Sequence, residues 1–214
     1  MKIFLDTAIV CDIDERISTG IIKGVTTNPT LIAKSGRNPD EVYEEIFDLG
    51  ITDLSIEVKG DRFDELIVNG LNTHAKYGKD ATIKLPCTVD GVKACKYLTN
   101  AGIRVNMTLV FSVEQAILCS MAGATYVSPF IGRLNDIGQC GVSLIRDISE
   151  VFCQHNSKTK ILAASVRDNL TVGLAFEAGA HICTLPPVVF DDMFKHELTD
   201  AGLKQFALDF GANV

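Results

Sequence analysis

Lys84 is where a chemical reading of this sequence begins. It stands inside Ala81-Thr82-Ile83-Lys84-Leu85-Pro86, an apolar run too short for a helix and stopped by a proline that cannot continue a ladder. Lysine is almost never buried unless its charge is engaged, so a lysine at the end of an interior strand is either paired structurally or kept for chemistry. An amine attacks a carbonyl only when unprotonated, and desolvation in a strand-lined cavity favours that form. Addition to a ketone then gives a protonated Schiff base, an electron sink that permits cleavage of the adjacent carbon–carbon bond. Such a mechanism needs groups that remove and return protons. Strand alternation puts Asp6 and Glu57 on the same face as Lys84, and Thr108 can hold a water between Glu57 and Lys84. An ionised Glu57 beside Lys84 favours the ammonium and opposes burial, and the sequence leaves that balance open.

A second constellation could bind an anion. Ser128-Pro129-Phe130-Ile131-Gly132-Arg133 and Ser165-Val166-Arg167-Asp168 each follow a β-rich run. Either arginine alone reads as a solvated surface charge. Two arginines above neighbouring strands, with a serine, make a phosphate clamp through charge-assisted hydrogen bonds.

These residues must be positioned by something, and the chain alternates short β-rich runs with amphipathic stretches. The expected strands are Lys2–Asp6, Gly24–Asn28, Leu54–Val58, Ala81–Leu85, Arg104–Thr108, Tyr126–Phe130, Lys160–Ser165 and His181–Leu185. Helix ends are marked by glycines such as Gly102 and Gly123, and helix starts by Asn38-Pro39, Thr88 and Ser112. Ala101-Gly102, Ala122-Gly123 and Ala178-Gly179 form a loose repeat, each ending a helix just before a strand. Eight strand–helix units imply an α/β fold with a parallel sheet, and eight strands close into a (β/α)8 TIM barrel. An open doubly wound sheet competes, but no G-x-G-x-x-G follows the first strand. Parity favours the barrel. Ile3 and Leu5, Val25, Leu54 and Ile56, Ile83 and Leu85, and Val105, Met107 and Leu109 form apolar faces suited to outer helices. The opposite face carries Asp6, Asn28, Glu57, Lys84, Asn106, Thr108 and Ser165, polar groups that are costly to bury unless they serve each other or a ligand. The expectation is one domain over residues 1–214 with an additional C-terminal helix at about 197–210. That helix carries Leu203, Phe206, Ala207 and Phe210 at helical spacing, to cover its own barrel or a neighbouring subunit.

Composition narrows the classes. A net charge of −7 argues against a nucleic-acid footprint, and no apolar run approaches a membrane span. Seven cysteines without a C-x-x-C pair and four histidines in no ligand spacing suggest reduced thiols in a cytoplasmic setting, and no metal. The chain opens on Lys2-Ile3-Phe4-Leu5-Asp6, without a basic segment followed by a long apolar one.

The same residues carry a family resemblance. Val25-Thr26-Thr27-Asn28-Pro29, Lys84-Leu85-Pro86-Cys87-Thr88-Val89-Asp90-Gly91, Asn106-Met107-Thr108-Leu109-Val110-Phe111-Ser112 and Ser128-Pro129-Phe130-Ile131-Gly132-Arg133 resemble the transaldolase family. The likeness is closest to its compact subfamily, which includes fructose-6-phosphate aldolases, and runs from Leu5-Asp6-Thr7 to Thr184-Leu185-Pro186. It implies a cofactor-free barrel with Lys84 as Schiff-base lysine, Asp6 as acid/base at the C4 hydroxyl, and Glu57 with Thr108 handling water. Asn28 and Asn106 would bind a dihydroxyacetone unit, with Thr26, Ser128 and Phe130 also among the substrate-binding residues. Ser165, Arg133 and Arg167 would hold the phosphate of a phosphorylated sugar. It further implies transfer of dihydroxyacetone between sugar phosphates in the pentose phosphate pathway, and homo-oligomeric rings of ten. In this family the free aldolases carry Gln in place of Glu57, Tyr in place of Phe130 and Lys in place of Arg167, so all three positions take the transaldolase form. Two alternatives stand beside transaldolase: an aldolase releasing free dihydroxyacetone, and a catalytically silent sugar-phosphate-binding barrel. Retention of Lys84, Glu57 and Asp6 together argues against silence.

Overall fold

The structure, a computed structural model, describes residues 1–212. Its strands are β1 (Lys2–Asp6), β2 (Ile22–Thr26), β3 (Leu54–Glu57), β4 (Ala81–Pro86), β5 (Val105–Val110), β6 (Tyr126–Pro129), β7 (Lys160–Ala163) and β8 (Ile182–Leu185). The helices are α1 (Val10–Ile17), α2 (Pro29–Ser35), α3 (Pro39–Asp48), α4 (Phe63–Tyr77), α5 (Val89–Asn100), α6 (Val113–Met121), α7 (Ile131–Asp136), α8 (Gly141–Gln154), α9 (Asn169–Glu177), α10 (Pro187–Asp192) and α11 (Glu197–Ala212). Each strand pairs in parallel with the next, and β8 returns to β1, so the sheet is a closed (β/α)8 barrel.

Local chemistry sets the helix starts. Asn28 Oδ1 accepts from Leu31 N at 2.9 Å, Thr88 Oγ1 from Gly91 N at 3.0 Å and Asp168 Oδ1 from Thr171 N at 2.8 Å. Each cap contributes about 1 kcal/mol and fixes the strand-to-helix turn at the C-terminal end of the barrel. Gly102 and Gly123 turn the chain back toward β5 and β6 with φ of 78° and 90°.

Two apolar layers result. Leu5, Val25, Leu54, Ile83, Leu85, Val105, Met107, Val127 and Ile161 are buried in the main core cluster, between barrel and helices. Inside the barrel Phe4, Tyr126, Leu162, Ala164 and Ile182 form a separate cluster. Gly24 makes room for it, since a Cβ there would stand 2.6 Å from the Phe4 ring. Below, toward the N-terminal ends of the strands, Asp53 accepts from Thr82 Oγ1 at 2.8 Å and Tyr126 Oη at 2.6 Å and pairs with Arg104 at 3.1 Å. This network closes the bottom of the barrel, where polar groups serve stability.

Several strand ends depart from the sequence reading; β4 includes Pro86, which pairs in register with Thr108. β2 ends at Thr26, two residues early, because Asn28 is drawn into capping α2 and Pro29 starts that helix. β5 carries a register irregularity between Met107 and Val110, with Leu109 at φ 58°. Alternation therefore breaks at Leu109, which is only half-buried, and Val110 takes the core position. β7 stops at Ala163, and Ser165 follows at φ 59°. The C-terminal helix forms as expected, and its apolar side chains Leu198, Leu203, Phe206, Leu208 and Phe210 are 62–77% exposed.

Candidate active site

Lys84 is 4% exposed and points into the barrel from β4. Its Nζ donates to the Thr27 carbonyl at 3.0 Å and is ion-paired with Glu57 Oε2 at 2.9 Å. Glu57 and Lys84 are register partners across β3 and β4, so the sheet itself places the carboxylate beside the amine. The Thr27 carbonyl is held in turn, because its own N–H and Oγ1 both donate to Ser55 O, at 3.1 and 3.0 Å. A buried lysine between two acceptors is satisfied at rest, and an incoming carbonyl competes with those acceptors for it.

Asp6 closes the end of β1 and faces the same cavity. Thr26 Oγ1 donates to Asp6 Oδ1 at 2.7 Å and itself lies 2.6 Å from Thr184 Oγ1. Burial pushes the Asp6 carboxyl above its ordinary range; the Thr26 hydrogen bond and the charge of Lys84 only partly oppose this. Such a group holds a proton more readily than a surface aspartate, as suits an acid/base.

The remaining wall is a hydrogen-bonded chain. Ser128 Oγ donates to Asn106 Oδ1 at 2.6 Å, and Asn106 Nδ2 donates to Ser55 Oγ at 3.1 Å, which fixes the amide plane. Thr108 Oγ1 is buried without a hydrogen-bond partner among the described residues. Phe130 packs edge-on to Phe111, and the Arg133 guanidinium lies over its ring at 5.0 Å.

Nine of the twelve residues singled out from sequence line one cavity: Asp6, Thr26, Asn28, Lys84, Asn106, Ser128, Phe130, Arg133 and Ser165. Ser165 reaches it although Ala164 beside it does too, because the positive φ at Ser165 breaks alternation. Glu57 and Thr108 are not among the lining residues; Glu57 pairs with the amine, and Thr108 is buried. Arg167 is exposed and paired bidentately with Asp136, both contacts at 2.5 Å. It is not among the residues lining the cavity, but its Nε lies near Ser165: a Cβ on Gly132 would fall 3.1 Å from it and 3.0 Å from Ser165 Oγ. The sequence reading missed Leu162, Ala164 and Thr184 in the lining, the Thr27 carbonyl, Ser55 and Asp136. Two of these carried a signal: Thr184, as a polar residue at the end of the last strand, and Ser55, on the same polar strand face as Glu57. No cluster of His, Cys, Asp and Glu among the described residues could hold a metal ion.

A closed (β/α)8 barrel with a buried lysine–carboxylate pair at the C-terminal ends of its strands has its polar site where enzymes of this fold place theirs. The family model for transaldolase/fructose-6-phosphate aldolase matches residues 3–212. The chain is 48% identical over 212 residues to a probable transaldolase of Symbiobacterium thermophilum, covering 99% of this chain and 98% of that one. Similar proteins named probable transaldolase occur in Clostridium perfringens, 47% identical over 210 residues (98% and 97% covered), and Nitrosopumilus maritimus, 47% over 211 (98% and 95%). The chain belongs to the transaldolase/fructose-6-phosphate aldolase family.

Proposed function

We propose that the chain is a transaldolase that moves a dihydroxyacetone unit from a ketose phosphate, fructose 6-phosphate or sedoheptulose 7-phosphate, to an aldose phosphate, erythrose 4-phosphate or glyceraldehyde 3-phosphate. The observation that carries this reading is Lys84 Nζ held between Glu57 and the Thr27 carbonyl in a cavity shared with Asp6. The amine adds to the donor's C2 carbonyl after passing its proton to Glu57. Loss of water from the carbinolamine gives the imine, with Glu57 returning the proton. The unspent Thr108 hydroxyl is the group that holds this water. Asp6 takes the proton of the C4 hydroxyl as the C3–C4 bond breaks. The electron pair moves into the protonated imine, and the aldose phosphate leaves. The enamine then attacks the acceptor aldehyde, Asp6 gives its proton to the new hydroxyl, and hydrolysis frees Lys84. No cofactor takes part.

Asn28 caps α2 through Oδ1, so its Nδ2 is the donor it offers the dihydroxyacetone hydroxyls, beside Asn106. Arg133, Ser165 and the Nε edge of Arg167 hold the phosphate. Phe130 offers no hydroxyl, so the enamine waits for an aldehyde rather than being released by protonation. We place the enzyme in the cytoplasm and the pentose phosphate pathway, as a homo-oligomer that the family resemblance makes a decamer. The exposed apolar side chains of α11 support a subunit contact, and the acidic net charge is no match for nucleic acid. No helix among the described residues is long and apolar enough to cross a membrane. The test is turnover of fructose 6-phosphate with and without erythrose 4-phosphate. A transaldolase requires the acceptor, whereas fast release of dihydroxyacetone without it would make the enzyme an aldolase.

A further inference from the structure

Cys87 follows the Lys84 strand directly, and its main-chain N–H donates to the Thr108 carbonyl at 2.9 Å. Its side chain turns away from the barrel lumen onto α6, where its Sγ lies 3.5 Å from Sγ of Cys119. Cys119 is fully buried and Cys87 half-buried, so a reagent in solution reaches only one member of the pair. The two thiols differ in a second way. The sulfur–sulfur hydrogen bond, in which either atom could donate, pulls Cys87 below the ordinary thiol range, and the same bond, with burial behind it, pushes Cys119 up. An accessible sulfur favoured as thiolate, with a buried thiol in contact behind it, is the arrangement of an attacking and a resolving cysteine.

We infer that Cys87 and Cys119 form a reversible disulfide site that takes a small disulfide such as oxidised glutathione as its oxidant and restrains the lysine strand when closed. The Cys87 thiolate attacks one sulfur of the oxidant, forming a mixed disulfide and expelling one glutathione thiolate. Cys119 gives up its proton to that thiolate and attacks Cys87 Sγ, expelling the second glutathione. The two cysteines lose two electrons in all, and one glutathione disulfide becomes two thiols.

Closure shortens the sulfur separation from 3.5 Å to about 2 Å. The pull acts between α6 and the segment Pro86-Cys87-Thr88, which is tied to the Thr108 carbonyl and lies two residues past Lys84. Displacements of about 1 Å in a positioned catalytic group cost up to roughly 100-fold in rate, so closure is expected to lower turnover about tenfold.

The test is to incubate the protein with oxidised glutathione, alkylate free thiols, digest without reduction and map the peptides. The expected product links the Cys87 and Cys119 peptides, while the exposed Cys11, Cys140 and Cys153 carry only glutathione. This readout is independent of the substrate. Fructose 6-phosphate turnover should fall about tenfold in step with the link and return with dithiothreitol, and Cys87→Ala should keep its turnover under the oxidant. Recovery of Cys87 and Cys119 both alkylated would overturn the site. A complete link with unchanged turnover, or equal loss of turnover in Cys87→Ala, would overturn its hold on the lysine strand.

Discussion

Glu57 and Lys84 are paired in register across β3 and β4, and their side chains meet at 2.9 Å inside the barrel. Parallel pairing in a closed barrel leaves neither residue free to drift, so the proton acceptor is fixed by the sheet rather than by a loop. Taking the negative charge out of this pair keeps the shape and slows the proton transfers. Glu57→Gln should leave the melting temperature within a few degrees and lower kcat by roughly 10²–10⁴-fold. Adding Phe130→Tyr to it should raise the share of dihydroxyacetone released without an acceptor, measured by coupled assay.

Asp6 gives a prediction in which stability and activity move apart. Its carboxyl is raised by burial, so the folded state binds a proton that the unfolded chain releases. Between the ordinary aspartate value and the raised one, stability therefore falls as pH rises, and the ionised group is a burden at neutral pH. Asp6→Asn can still accept from Thr26 and should melt higher than the parent at pH 7–8. That advantage should shrink as pH falls toward 4. Activity should be nearly lost at every pH. Thermal melts across that range check the sign.

The phosphate reading separates KM from kcat. Arg133→Ala should raise KM for fructose 6-phosphate about tenfold or more while leaving its kcat within a few-fold, because a charge-assisted contact of about 1.5–3 kcal/mol is lost far from the reacting carbons. Turnover of unphosphorylated dihydroxyacetone donors should change little. Asp136→Asn frees the Arg167 guanidinium from its bidentate partner and should lower the same KM, which steady-state kinetics on both donors would show.

Gly132 ties the clamp to the fold. A Cβ there would stand 2.1 Å from the Ser165 carbonyl and 3.0 Å from its hydroxyl, so Gly132→Ala must push α7 away from Ser165. The expected cost is about 1–3 kcal/mol of stability, read from denaturant midpoints, with loss of phosphate affinity. Gly173→Ala, where nothing stands within 4 Å, is the matched control.

Most of the barrel and much of the site were legible because strand alternation is a strong signal. Lys84, Glu57, Asp6 and Asn106 sit on polar faces opposite Ile83, Ile56, Leu5 and Met107, and that pattern survives folding unchanged. What was not legible depends on backbone geometry or distant partners. Nothing in residue type announces the positive φ of Leu109, which breaks the β5 alternation, or of Ser165, which turns into the site. The early end of β2 reflects capping by Asn28 winning over the β preference of its neighbours. The Thr27 carbonyl that holds Lys84 is a main-chain group without a side-chain signature, and Asp136 meets Arg167 across 31 residues of sequence. Phe4 and Tyr126 read as strand residues, but their gathering inside the barrel, with Asp53 bonded to Tyr126, needs all eight strands in place.

The decisive measurement is covalent trapping. The protein is incubated with fructose 6-phosphate, reduced with borohydride, digested and mapped by mass spectrometry. The expected result is one secondary-amine adduct at Lys84, absent from Lys84→Ala, which should still melt cooperatively because the barrel does not rest on that charge. An adduct at another lysine, or none under conditions of turnover, would contradict the assignment of Lys84 as the reacting amine.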